Sequence, residues 1–168
     1  MRNRQDRRGF GFSLIELIIV VVIIGIIAAI AVPKMSRGAR SAGMNTLRMD
    51  LSLLRNAIEL FATEHDNRYP DENIAAQLTQ YSNFAGTTMS PVKNAPTGIV
   101  YGPYLKDIPA TPCGTKKGNS AIRINSVASS LPDGSGAEGW EYNTIDKVIR
   151  VNLANTETDD DGTAYNSY

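Results

Sequence analysis

One cysteine, Cys113, leaves this chain unable to close an intrachain disulfide. One histidine, His65, leaves no pair to share a metal, and no H-E-x-x-H, G-x-S-x-G or paired-cysteine motif occurs. Excess charge of either sign is missing too. Seventeen basic residues balance 17 acidic ones in 168 residues, which leaves no basic footprint for a nucleic acid. No internal repeat is visible, and the length allows one modest domain beside an anchor.

Charge is scarcest between Phe12 and Val32. In these 21 residues Glu16 is the only ionisable side chain. The run is long enough to span a bilayer as a helix. A carboxylate near the centre of the hydrocarbon costs roughly 2.5–3.5 kcal/mol on insertion scales, and less near an edge. Such a residue asks for a partner and points to a function. Before it, residues 1–11 carry four arginines against Asp6, a net +3. Positive flanks stay on the cytoplasmic side, so the C-terminal part belongs across the membrane. Two plainer readings compete. Ala28-Ala29-Ile30-Ala31 imitates a secretory cleavage site, but the apolar run is long for a signal peptide and continues into a helical pattern. An uncleaved signal anchor accounts for the run and leaves Glu16 unexplained.

Arg7-Arg8-Gly9-Phe10-Gly11, then Phe12-Ser13-Leu14-Ile15-Glu16 and the apolar stretch through Pro33, resemble the leader and anchor of type IV pilins and type II secretion pseudopilins. The resemblance implies cleavage between Gly11 and Phe12 by a membrane-embedded prepilin peptidase. It also implies N-methylation of Phe12 and a role for Glu16 in assembly. A filament of identical subunits, an inner-membrane assembly platform and minor pseudopilins are the partners it implies. The implied location is the bacterial inner membrane, single-pass, with the N-terminus cytoplasmic and the head periplasmic.

Helical periodicity continues past the anchor. Met44, Leu47, Leu51, Leu54, Ile58 and Phe61 recur at spacings of three and four, one apolar stripe of an amphipathic helix. Arg48, Asp50, Arg55 and Glu59 fall mostly off it, with Arg55 and Glu59 spaced for an i,i+4 pair. Residues 12 to about 65 thus read as one helix of roughly 80 Å at 1.5 Å per residue. Pro33 removes a backbone donor and predicts a kink, and Gly38 and Gly43 weaken the same stretch. The stripe packs on a globular head or, alternatively, forms a coiled-coil seam.

Asp66-Asn67 and Tyr69-Pro70-Asp71-Glu72 end the helix. Residues 74–81 predict a short helix and 82–98 a loop rich in small polar residues, Gly and Pro. Three prolines between 103 and 112 exclude regular structure there. Strands are expected at 121–124, 140–142 and 148–151, with a turn at 133–136. The expected class is α+β: a long N-terminal helix and a small antiparallel head. Its divisions are a leader, 1–11; a membrane helix, 12–33; an amphipathic continuation, 34–66; a head, 67–154; and a polar acidic tail, 155–168.

Within the head, Tyr69-Pro70, Tyr104-Leu105-Lys106, Pro109, Pro112-x-Gly114 and Gly139-Trp140-Glu141-Tyr142-Asn143 resemble the major, G-type pseudopilins. Cys113 stands where that family usually has an aromatic residue. The family's acidic calcium loop is not clearly present. The nearest counterpart is Asp159-Asp160-Asp161-Gly162, which reads either as calcium ligands or as a solvated acidic tail. Asp133, Glu138 and Asp146 are further acidic candidates. Gly134-Ser135-Gly136-Ala137-Glu138-Gly139 matches G-x-G-x-x-G but precedes a strand, so it reads as a turn. His65 near the helix end reads as a cation complementing the dipole. A Cys113–His65 nucleophile pair is a remote alternative. The function expected is that of a non-enzymatic pseudopilus subunit, with a type IV pilin or a membrane-anchored extracytoplasmic enzyme or binding protein as alternatives.

Overall fold

A computed structural model of the chain describes residues 12–159 and 161–168. Gly11, the rest of the leader and Asp160 lie outside these residues. One helix, α1 (Leu14–Glu64), is followed by α2 (Ile74–Thr79), β1 (Tyr81–Ser82), β2 (Met89–Ser90), β3 (Ile122–Asn125), β4 (Trp140–Asn143) and β5 (Val148–Val151), with 3-10 turns at Ala95–Thr97 and Tyr165–Ser167. The chain divides into two compact units, one ending at Ala39 and the other running from Arg40 to Tyr168. The assignment of α1 as helix is unbroken through Pro33.

In the first unit, Leu14–Ala31 is apolar enough to cross a membrane, with a mean hydropathy of 3.2 and none of its window buried within the molecule. An apolar surface of that kind is stable only in lipid or against other apolar helices.

In the second unit, the predicted stripe is the core. Leu47, Leu51, Leu54, Ile58 and Phe61 are buried with Met44 at its end. They pack with Ile74, Leu78, Leu105, Trp140, Tyr142, Ile149, Val151 and Leu153 from the head. The seam is therefore filled from within the chain, as the head-packing alternative requires. α1 stops where expected. Asp66 and Asn67 both adopt positive φ, and the Asn67 amide turns back to the Ala62 carbonyl at 2.8 Å. Such a left-handed reversal satisfies carbonyls that a helix end otherwise leaves open.

The three-stranded sheet has the order β3-β4-β5 and is mixed. β4 and β5 form the expected antiparallel hairpin, but β3 runs parallel to β4, pairing Ile122 with Trp140 and Asn125 with Asn143. The connection over residues 126–139 therefore crosses back along the sheet instead of turning tightly. A further departure lies in the 82–98 loop, where β1 and β2 make a two-residue antiparallel ribbon.

The expected polar tail is also part of the head. Tyr165 belongs to the core, and Asn166 is fully buried. The Asn166 amide donates to the Pro132 carbonyl at 2.7 Å and to Asn155 Oδ1 at 2.6 Å. Two aromatics beyond the acidic run, Tyr165 and Tyr168, supply the apolar area that brings this segment back onto the core.

Candidate functional site

The N-terminal end of α1 is the best candidate for function, and its geometry is local. The Ser13 carbonyl accepts the first intrahelical bond, from the Leu17 amide at 3.2 Å. Glu16 Oε2 accepts from the Ser13 amide at 3.0 Å. This is one half of a capping box, the glutamate of S-x-x-E reaching back to the residue that opens the helix. The Ser13-x-x-Glu16 spacing was readable in the sequence, and the reading of Glu16 as a bare membrane charge overlooked it. Phe12 is almost fully exposed at the start of the described chain. Glu16 thus sits one turn from the amine that cleavage at Gly11 would create. Its carboxylate has the means both to close its own helix and to meet a positive charge.

The head contains no comparable chemistry. His65 is fully buried and stacks on Phe61 with ring centroids 3.8 Å apart. Its Nδ1 lies 2.7 Å from the Phe61 carbonyl and its Nε2 2.9 Å from Ser82 Oγ. A carbonyl only accepts, so Nδ1 donates to it, and Nε2 shares a hydrogen bond with the Ser82 hydroxyl. The ring ties the C-terminal end of α1 to β1. Cys113 is half-buried beside Gly43, whose added Cβ would stand 3.6 Å from the cysteine Cβ. Gly43 lies on α1 and His65 just past its end, 22 residues on and about 33 Å away at 1.5 Å per residue, so no thiol–imidazole pair forms. Burial pushes the Cys113 thiol up, away from the thiolate.

The head motifs singled out in the sequence tie the head's own segments together, and Tyr104 also reaches α1. Pro70 supplies a carbonyl to the Tyr142 hydroxyl at 3.0 Å, and Pro109 one to Trp140 Nε1 at 2.7 Å. Tyr104 donates to Glu64 Oε2 at 2.6 Å, and burial, followed by that carboxylate, raises its hydroxyl far above the usual range. Both Tyr104 and Leu105 amides bond the Leu78 carbonyl. Gly114 has a φ of +77°, and a side chain there would run into Leu153. In the glycine-rich segment, the Ser135 carbonyl accepts from Lys116 Nζ and Asn152 Nδ2, and a Cβ on Gly139 would strike the Asn119 carbonyl. It is a loop folded onto the sheet, as the missing helix after it implied.

The described members of the acidic run, Asp159 and Asp161, do not gather a calcium ligand set. Asp159 Oδ1 accepts from the amides of Asp161 and Thr163, at 2.9 and 2.8 Å. Its Oδ2 accepts from the Tyr168 hydroxyl. These bonds, led by Tyr168, hold the Asp159 carboxyl below the usual range. Asp133 is tied to the Ser135 amide and to Arg123, each at 2.8 Å, and Asp146 caps the Ser129 amide at 2.8 Å. Among the described residues, no three His, Cys, Asp or Glu side chains gather as a metal site.

The charged residues on α1 were only partly read. Glu59 accepts from the Tyr69 hydroxyl at 3.1 Å. Arg55 points into the head, donating to the carbonyls of Ile149 and Tyr168. Arg48 donates to the Tyr168 hydroxyl at 2.9 Å. No local spacing announces contacts that span more than 90 residues.

A family profile described as Prokaryotic N-terminal methylation motif matches residues 6–32. The chain is 30% identical over 112 residues to the type II secretion system core protein G of Aeromonas hydrophila, covering 66% of this chain and 71% of that protein. The protein of the same name from Escherichia coli (strain K12) is 27% identical over 156 residues, 92% of this chain and 97% of that protein. The type IV major pilin protein PilA of Myxococcus xanthus (strain DK1622) is 42% identical over 69 residues, 41% of this chain and 31% of that protein. No solved structure matches the chain.

Proposed function

The chain belongs to the type II secretion system core protein G family, and we propose from this premise that it is processed at Gly11, methylated at Phe12 and polymerised through Glu16. It is a type IV pilin-like major pseudopilin, a structural subunit of the type II secretion pseudopilus. Its apolar helix and N-terminal motif fit a single-pass inner-membrane protein. The net +3 of residues 1–11 favours a cytoplasmic N-terminus and a periplasmic head. In this reading a prepilin peptidase removes residues 1–11, and the platform extracts the mature subunit into a filament that drives protein export. Minor pseudopilins join the same filament, and the head is a packing and recognition unit without catalysis. Family coverage favours a pseudopilin over a type IV pilin. The match to the Escherichia coli protein extends over nearly the whole chain, and the match to PilA stops at 69 residues.

The observation that carries the proposal is Glu16, the one charge in the apolar run, one turn from Phe12. Cleavage places an ammonium at Phe12. Opposite charges in a low-dielectric medium attract far more strongly than in water, and each alone carries an uncompensated burial cost. Pairing Glu16 with the amine of a neighbouring subunit removes both costs and sets the stagger between subunits. The capping role offers a competing account, and two substitutions separate them. Glu16→Gln keeps an acceptor for the Ser13 amide and loses the charge. Glu16→Ala loses both. The proposal expects both variants to insert and be cleaved, and both to give little or no sheared filament in a cell carrying the secretion system. Normal filament yield from Glu16→Gln would assign Glu16 to capping alone and end the pairing role.

A further inference from the structure

We propose that the C-terminal segment of the head, residues 152–168, is fastened by a cation belonging to the protein itself, the Arg48 guanidinium. The head then folds and stays closed without a bound calcium ion. Arg48 and Arg55 are seven residues apart on α1, two turns, and so share a face. Both hold Tyr168. Arg48 donates to its hydroxyl at 2.9 Å and stands 4.8 Å from its ring centroid, within cation–π range. Arg55 donates to its carbonyl. The Tyr168 hydroxyl then passes its own proton toward Asp159 Oδ2. A single phenol thus links a guanidinium to a carboxylate, positive charge at one end and negative at the other.

Other donors already occupy oxygens that a hard ion would use. Asp159 Oδ1 takes two backbone amides. Both Glu157 oxygens accept from Thr115, from its amide at 2.8 Å and its hydroxyl at 2.9 Å. Asn155 Oδ1 and the Pro132 carbonyl take the Asn166 amide. Calcium requires six to eight converging oxygens with carboxylates among them, and a guanidinium beside the buried Asp159 carboxylate opposes its approach. Two buried amide oxygens, Asn152 Oδ1 and Asn166 Oδ1, lack a hydrogen-bond partner. Both are neutral, and one water would satisfy each without any carboxylate.

The test uses the full chain purified in detergent. Melting is followed in excess chelator and in millimolar calcium chloride, with calcium binding measured by calorimetry. The wild-type chain is expected to melt at the same temperature in both and to take up no calcium. Arg48→Ala and Tyr168→Phe are expected to melt several degrees lower in both media, with faster proteolysis between residues 152 and 168. A rise in melting temperature with calcium, or measurable calcium uptake by the wild-type head, would overturn the proposal. So would wild-type melting and protease resistance in both variants. The outcome is independent of filament assembly, since a chain that never polymerises still reports on its own head.

Discussion

Leu54 shows how far single residues were legible. Its place in a three-and-four spacing marked it as buried, and it is fully buried. Met49 and Leu53 are just as apolar but lie off the stripe, and both are exposed, at 71% and 47%. The difference gives a paired prediction. Truncating a buried leucine to alanine costs about 2–5 kcal/mol, through lost transfer energy and the cavity left behind. An exposed substitution stays within about 0.5 kcal/mol. Leu54→Ala should therefore lower the melting temperature of the detergent-solubilised chain markedly, and Met49→Ala should leave it where it is. Equal melting of the two variants would mean that the stripe does not carry the head. Polar residues were less legible. Arg48, Arg55 and Tyr168 act through partners far away in the chain, and their own neighbours carry no trace of those contacts.

At the scale of elements, α1 was readable because a single period runs along it. Its end was readable because Asp66 and Asn67 tolerate the left-handed turn that they adopt. Strands β4 and β5 announced themselves as a hairpin. The parallel partner of β4 did not. Pairing direction depends on where the connection goes, and residues 126–139 contain no helix whose pattern would reveal a crossover. The small β1–β2 ribbon is too short to show any period. For α1 itself, unequal protection along its length follows. Pro33 lacks an amide, Gly38 and Gly43 add backbone freedom, and Gly38 and Arg40 are exposed. Residues 47–61 are covered by the head on one face. Hydrogen exchange in filaments is expected to be faster over 33–43 than over 47–61, because local opening is easiest where buried contacts are few. Uniform protection of the two stretches would show that neighbouring subunits stiffen the proline region as strongly as the head stiffens the stripe.

For the molecule as a whole, the two compact units carry different features. Among its described residues, the N-terminal unit presents an apolar surface with one carboxylate, Glu16. The second unit builds a core in which the α1 stripe and the head pack together. Membership of the core protein G family makes the whole a pseudopilin subunit of the type II secretion system. The most direct test of that account is the intact mass of the protein extracted from membranes of a cell with prepilin peptidase. The account predicts a chain that begins at Phe12 and carries one added methyl group on its amine. A chain that keeps Met1, or one cut near Ala31, would contradict it.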